Sequence, residues 1–410
     1  MLKHHSRKTG ISLAVAAALL SPLAAQAGFV EDSKIKLDLR NFYLDRNYDG
    51  DTPDVGSWSQ AADLQFFSGY TDTTIQFGLD MSATGAYIFD SEGNDGSLPY
   101  DAEKDDTPDS YGRAGATLKA KYGETELTIG DHRPHLPVAW DDDSRVLDTI
   151  YEGAMLHSTA IDNLELTAGR FWEAVTRDSS DKEELYVFRG QDENRSDGLD
   201  FFGATYSFPM NIKGTYFFGR LNDFYDQHYY GLEHLAGFEN GMKLKTDLRY
   251  FDYESEGKEY EGDMDVDVVS TMATLLAGNH MFALSYQNVK GDRPVPTLNG
   301  YIPQPYTVHW SSAAFIMPDE RSWGVRYGYN FKDLGLPGMK LFTRYIKGTD
   351  IDIAGGTDES QSERDIYVSY EMQNAALKGL KFDLRSIAHK RSWADDYDEY
   401  RFITTYTFNF

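Results

Sequence analysis

Tyr397–Phe410 reads YDEYRFITTYTFNF, and this stretch decides the fold. Tyr400, Phe402, Thr404, Tyr406, Phe408 and Phe410 share one parity; Arg401, Thr405, Thr407 and Asn409 share the other, with Ile403 the exception among them. A period of two is the signature of a strand with one apolar and one polar face. The same alternation recurs along the chain, with few helices to cover its apolar side. Lipid is the economical cover. A strand in lipid cannot leave its edge unpaired, so the sheet must close. The expectation is an all-β, transmembrane, antiparallel barrel in which the last strand pairs with the first.

Working outward, the stretch GFVEDSKIKLDLRNFYLDRN from Gly28 holds the first strand. Ile35, Leu37 and Leu39 point one way, and Lys34, Lys36, Asp38 and Arg40 the other. An inward face carrying both signs of charge implies a wet lumen. Further strands are expected near 57–67, 73–89, 110–122, 124–130, 149–160, 164–173, 183–190, 199–208, 212–222, 226–236, 241–253, 262–276, 279–289, 322–331, 338–348, 362–373 and 380–389. Arg113 and Lys119 take the inward parity of 110–122, and Arg249 that of 241–253. In 262–276 the same rule sets Asp263, Asp265 and Asp267 against Met264, Val266 and Val268. The tracts 350–365 and 391–399 are acidic and read as outward-facing loops.

Two tracts break the meander. Residues 131–149, DHRPHLPVAWDDDSRVLDT, are too broken for a strand and too polar for a helix. Residues 290–321 carry Pro294, Pro296, Pro303, Pro305 and Pro318; a loop this long is usually functional or disordered, and its aromatics favour a folded-in loop with a short strand near Tyr306–Trp310.

Residues 1–27 combine Lys3, Arg7 and Lys8, an apolar run from Ile11 to Leu20, and Ala25-Gln26-Ala27. This is the pattern of a secretory signal peptide, with 28–410 as a single barrel domain. The run falls short of the ~20 residues that span a bilayer. Removing those three basic residues and no acid takes the formal charge from -27 to -30. Such acidity excludes a nucleic-acid surface. There is no cysteine, so no thiol chemistry, while 28 Tyr and 24 Phe suit a membrane interface.

Enzyme and metal readings find little support. Asp45-x-Asn47-x-Asp49-Gly50 matches half a calcium loop, but its twelfth position is Gly56, not Glu. His132 and His135 beside Asp131 lack further ligands. His157, His228, His234, His280 and His389 have no G-x-S-x-G elbow to serve. No catalytic residue, metal or cofactor is expected. The rival functions are an outer-membrane barrel hydrolase and a non-conducting surface adhesin or assembly barrel.

With these features in place, GFVEDSKIKLDLRNFYLDR, RPHLPV followed by DSRVLDTIYEG, DNLELTAGRF and DERSWGVRYGYNF resemble the OprD-type (Occ) outer-membrane porins of Gram-negative bacteria. The C-terminal Phe410 is also typical of such barrels. The resemblance implies 18 strands, inward-folded extracellular loops, and a substrate-preferring diffusion channel for small water-soluble nutrients, often carboxylates. It implies a monomer or weak homo-oligomer, in contact with outer-membrane lipid and lipopolysaccharide, inserted by the barrel-assembly machinery through Phe410. It implies a basic ladder drawn from Arg40, Arg113, Lys119, Arg170, Arg249, Arg326, Arg344 and Arg385, although Arg170 shares parity with Leu164 and Leu166. The constriction would come from Arg133, Trp140, Asp141, Asp142, Asp143 and Arg145 in one loop, and from Tyr301 and Tyr306 in the other.

Overall fold

The computed structural model describes residues 27–187, 194–300, 304–353 and 356–410. After a short helix, Ala27–Glu31, the described chain forms eighteen long strands. They are β1 Lys34–Tyr48, β2 Val55–Phe67, β3 Gln76–Glu92, β4 Ser110–Tyr122, β5 Thr125–His132, β6 Ile150–Ile161, β7 Leu164–Val175, β8 Leu199–Phe208 and β9 Ile212–Leu221. The second half comprises β10 Tyr225–Gly237, β11 Lys243–Ser255, β12 Asp265–Ala277, β13 His280–Lys290, β14 Arg321–Asn330, β15 Met339–Ile353, β16 Gly356–Glu371, β17 Lys381–Arg391 and β18 Tyr397–Asn409. Each strand pairs antiparallel with the next, and β1 pairs with both β2 and β18. Leu39 faces Tyr406 and Tyr43 faces Phe402 across that seam, so the barrel closes. Among the described residues no helix is long and apolar enough to cross a membrane; the strands do the crossing.

The parity of β18 follows the sequence. Tyr400 is 49% and Phe402 38% exposed, while Glu399, Arg401 and Ile403 are buried. Turns at one end, such as Gly123–Glu124 between β4 and β5, are short, and connections at the other are long. Short turns face the periplasm and long loops the exterior.

Three expectations are corrected. The strand expected at 183–190 shrinks to Glu183–Glu184, paired with Ala174 and Glu173 of β7, and residues 188–193 lie outside the described set. This short piece belongs to the external loop between β7 and β8, which is why the barrel count is eighteen. The acidic tract 350–365 is not a loop. It extends β15 and β16, whose register runs through Arg344↔Asp365 and Ile346↔Glu363. Tyr306–Trp310 is not a strand; a 3-10 turn at Gln304–Tyr306 opens it.

The largest correction concerns the lumen. Around β6–β13 the inward face is apolar, not wet. Tyr151, Phe171, Leu199, Phe201, Phe217, Leu221, Tyr225, Tyr229, Phe251 and Tyr253 form one buried cluster. In β12 the expected faces are reversed: Val266 and Val268 are fully buried inside, while Asp265 is exposed. The cause is the loops. Val138 and Ala139 of the β5–β6 loop, and Val295, Leu298 and Ile316 of the β13–β14 loop, join this cluster. Two loops folded into a lumen need an apolar wall to bury against. Strand β9 makes room at Gly219, where a Cβ would sit 2.8 Å from the Val138 side chain.

Candidate functional site

The two inward loops pack against walls on both sides of the lumen and leave a cavity between them. The β5–β6 loop, residues 133–149, turns through a small hairpin in which His135 pairs with Trp140 and Leu136 with Ala139. Gln227 on β10 donates to the Pro137 carbonyl at 3.0 Å. The Tyr306 hydroxyl of the β13–β14 loop donates to the His135 carbonyl, and its ring meets Trp140 edge-on at 5.7 Å. The two loops therefore meet and narrow the lumen together.

The second loop is suspended from arginines of the wall. Arg249 on β11 donates to the Pro305 carbonyl at 3.0 Å, Arg326 on β14 to Val308, and Arg344 on β15 to Trp310. Arg401 on β18 donates to the Ser312 hydroxyl at 2.6 Å. Three buried carboxylates also hold this loop, Glu363 and Glu399 from the wall and Glu320 from the loop's own end. Glu363 accepts from the Ser312 and Ala313 amides, Glu399 from the Ser312 hydroxyl at 3.5 Å, and Glu320 from the Met317 amide at 3.1 Å. A buried charge needs partners, and these have them. Arg344 also pairs with Asp365 and Glu363, and Arg401 and Arg46 share Glu399.

Between the loops and β1, β14, β15, β17 and β18 lies a cavity of about 680 Å³. From the sequence-expected set it gathers Arg40, Arg326, Arg344, Arg385, Trp140, Asp142, Asp143 and Arg145. It also gathers Arg177, Lys381, Asp383, Trp310, Ser312 and Arg401, which the sequence did not single out as lining. The strand members follow from parity: Lys381, Asp383 and Arg385 alternate on the inward face of β17, as Arg401, Ile403 and Thr405 do on β18. Arg177 has no such signal, because it lies beyond the end of β7 in an irregular loop.

Eight basic side chains against three aspartates line this cavity, in a chain whose net charge is strongly negative. Arg344, Arg401, Arg177 and Lys381 are paired with carboxylates, the last two with Asp142 and Asp383 at 2.8 and 2.7 Å. Among the described residues, Arg40, Arg145, Arg326 and Arg385 have no carboxylate at salt-bridge distance. Arg40 donates to the Asp143 carbonyl at 2.8 Å and lies over the Phe42 ring at 5.8 Å; Arg385 lies over the Tyr367 ring at 5.0 Å; Arg145 bonds its neighbour Ser144. Burial, together with Arg401 and Arg177, pushes the Arg145 guanidinium down to about 9. In the same loop, burial would raise Asp142, but Arg177, the hydrogen bonds from Ser144 and nearby Arg145 together hold it below the ordinary carboxylate value. Burial raises Asp141 to about 6, beside His135 at 3.2 Å.

Other expected residues lie elsewhere. Arg170 keeps the outward parity of Leu166 and binds Asp200 and Asp197 at 2.8 and 3.2 Å, on the outer rim and not in the lumen. Lys119 pairs with Asp80 at 2.5 Å near Ser68, towards the periplasmic end. Arg113 donates to the Thr176 carbonyl at 2.9 Å, and Arg133 spans Asp63 and Asp148 at 3.2 and 3.4 Å. Both are inward but fasten loops outside the cavity lining, as Arg249 does. Asp141 is turned toward His135, and Tyr306 closes the loop junction. Tyr301 lies outside the described residues.

An eighteen-stranded barrel with lipid outside, two loops folded inward and an electropositive cavity beside them defines the porin class of outer-membrane channels. The chain belongs to the OprD family of outer membrane porins, whose profile matches residues 27–410. It is 31% identical over 409 residues to the porin-like protein GalP of Pseudomonas putida, covering 96% of each chain. It superposes on OpdK of Pseudomonas aeruginosa, solved with vanillate, with a TM-score of 0.89 and 31% identity over 93% of this chain and 100% of that one. For OccK2 (OpdF) of the same organism, solved in complex with glucuronate, the figures are 0.85, 30%, 93% and 99%. The protein is thus an outer-membrane diffusion channel for small polar solutes in a Gram-negative bacterium.

Proposed function

We propose that the channel prefers small carboxylates bearing a planar or hydroxylated ring. The observation that carries this is the set of four cavity-lining arginines without carboxylate partners: Arg40, Arg145, Arg326 and Arg385. A guanidinium stays charged across the working pH range and can hold a carboxylate through two parallel bonds. Several such groups within one cavity let an anion pass from one to the next, and passage requires binding that is repeated and weak. Trp140, Trp310, Phe342 and Tyr367 line the same cavity and add aromatic surface for a ring-bearing solute. Vanillate and glucuronate, seen with two relatives, are both ring-bearing carboxylates. In this reading Asp142 and Asp143 take the solute's hydroxyl or ammonium groups, and residues 1–27 are removed on export. Amino-terminal sequencing of the outer-membrane protein should then begin Gly-Phe-Val.

Swelling of liposomes carrying the channel tests the preference. Benzoates and sugar acids are expected to enter several-fold faster than the matching amides or neutral sugars. Equal rates for the charged and neutral members of each pair would contradict the proposal.

A further inference from the structure

The outer wall of the barrel also carries a charge pattern. On the exterior half of β14–β17, four basic residues lie on the lipid-facing parity: Arg321, Lys347, Arg364 and Lys390. Each alternates with a buried inward residue: Ser322, Ile346, Glu363 and His389 respectively. Lys347 and Lys390 occupy one hydrogen-bonded row, on either side of Ser362, and Trp323 continues that row on β14. Neighbouring strands are ~4.8 Å apart, so the two lysines are ~10 Å apart. Arg364 sits between them, two residues nearer the periplasm, opposite Tyr345. Trp323 and Tyr345 are themselves exposed and pack at 5.8 Å, as an aromatic girdle would at the membrane boundary.

These cations are weakly satisfied by the protein. Arg321 and Lys390 are 64% and 73% exposed, and among the described residues their only carboxylate partners are Asp350 and Asp396, each 4.0 Å away. Lys347 donates to the Ser360 hydroxyl at 2.9 Å. Exposed Arg364 has no carboxylate partner among the described residues. Arg364 and Tyr345 also end an apolar groove of about 630 Å³ on the lipid-facing wall, lined by Leu244, Leu275, Phe282, Leu284 and Val325. The groove follows two adjacent hydrogen-bonded rows across β11–β16, from Leu244 beside a periplasmic turn to Arg364.

We infer that this face is a binding site for a phosphorylated, acylated glycolipid of the outer leaflet, the chemistry of lipopolysaccharide. Its phosphates sit on Lys347, Arg364 and Lys390, with Arg321 above, and an acyl chain lies in the groove below. Cations on a lipid face are tolerated near the interface, where anionic headgroups offset their charge. No neutral lipid would require four of them on adjacent strands.

Native mass spectrometry of the folded barrel in detergent provides the test, with diphosphorylated lipid A as probe. Dephosphorylated lipid A, phosphatidylglycerol and inorganic phosphate serve as comparisons. One diphosphorylated lipid per barrel is expected, bound at least tenfold tighter than any comparison ligand. The R321Q/K347Q/R364Q/K390Q variant should lose that preference, whereas K332Q/K378Q, at periplasmic turns, should keep it. Leu284→Trp, which crowds the groove and leaves the cations in place, should weaken the acylated ligand. Heat-modifiable gel migration establishes that each variant is folded. Unchanged preference in the quadruple variant would overturn the site. So would equal binding of the dephosphorylated lipid, which marks an acyl groove alone, or of phosphatidylglycerol, which marks a general anionic surface. Equal binding of inorganic phosphate would show that no lipid is recognised.

Discussion

Arg344 and Arg385 stand two strands apart in the same wall, yet they have different tasks. Arg344 is held by Asp365, Glu363, the Tyr367 hydroxyl and the Trp310 carbonyl. Breaking a buried pair by removing one partner typically costs 3–5 kcal/mol, because the other charge is stranded. Arg344→Ala should therefore destabilise the barrel on that scale and lower the temperature at which it loses its compact gel migration. Arg385 has only a ring face beneath it. Arg385→Ala should leave stability within ~1 kcal/mol and weaken carboxylate block of the open channel about tenfold, since hydrogen bonds to charged groups are worth ~1.5–3 kcal/mol. An unchanged block in Arg385→Ala would remove it from the solute path. The family resemblance implied both residues for the lumen but could not separate the anchor from the free cation. That distinction depends on Glu363 and Asp365, which lie where an expected strand from 362 overlaps an acidic tract read as a loop. For Arg170, the parity shared with Leu166 was the sound guide, and the resemblance misled.

The inward loops are elements with identifiable fastenings, and these can be undone. Gly219 admits Val138 of the β5–β6 loop. Gly219→Leu should push that loop off the wall and raise single-channel conductance without unfolding the barrel. Unaltered conductance would mean that the loop is held elsewhere. The returning leg of the β13–β14 loop is fixed by Glu320, whose oxygens accept from Gln361 Nε2 at 2.9 and 3.1 Å. Burial raises this carboxyl from an ordinary 4.5 to about 7. The folded state therefore holds a proton that the unfolded chain releases near 4.5. The anchorage is firmest below that value and weakens as pH rises through the window from 4.5 to about 7. Loop-derived gating noise should grow over that window, and Glu320→Gln, which cannot ionise, should abolish the pH dependence. A pH dependence that persists in Glu320→Gln would assign it to another group. The two loops were recognisable in the sequence from their prolines and broken periodicity. Their meeting at Tyr306 and His135 was not, because contacts 171 residues apart leave no local pattern.

At the scale of the whole molecule, one alternating pattern serves two media. Outward residues face lipid all round, so their periodicity makes the closed barrel readable from Tyr397–Phe410 alone. Inward residues divide. Over β6–β13 they are largely aromatic and bury the loops, whereas β14, β15, β17, β18 and β1 also contribute the charged groups that line the cavity. Tyrosine and phenylalanine suit both lipid and core, so the sequence could not show that the loops bury against the inward aromatics. In the proposed reading the arginine-lined cavity is the path for solute, and that reading predicts an anion-preferring channel despite an acidic chain. The most direct test is single-channel recording in a planar bilayer under a salt gradient, with benzoate-type and sugar-acid carboxylates added one at a time. The account predicts discrete openings, a reversal potential on the anion side, and brief carboxylate-dependent interruptions that neutral analogues do not cause. A correctly folded barrel that stays silent, or one that conducts with cation preference and is indifferent to carboxylates, would contradict it.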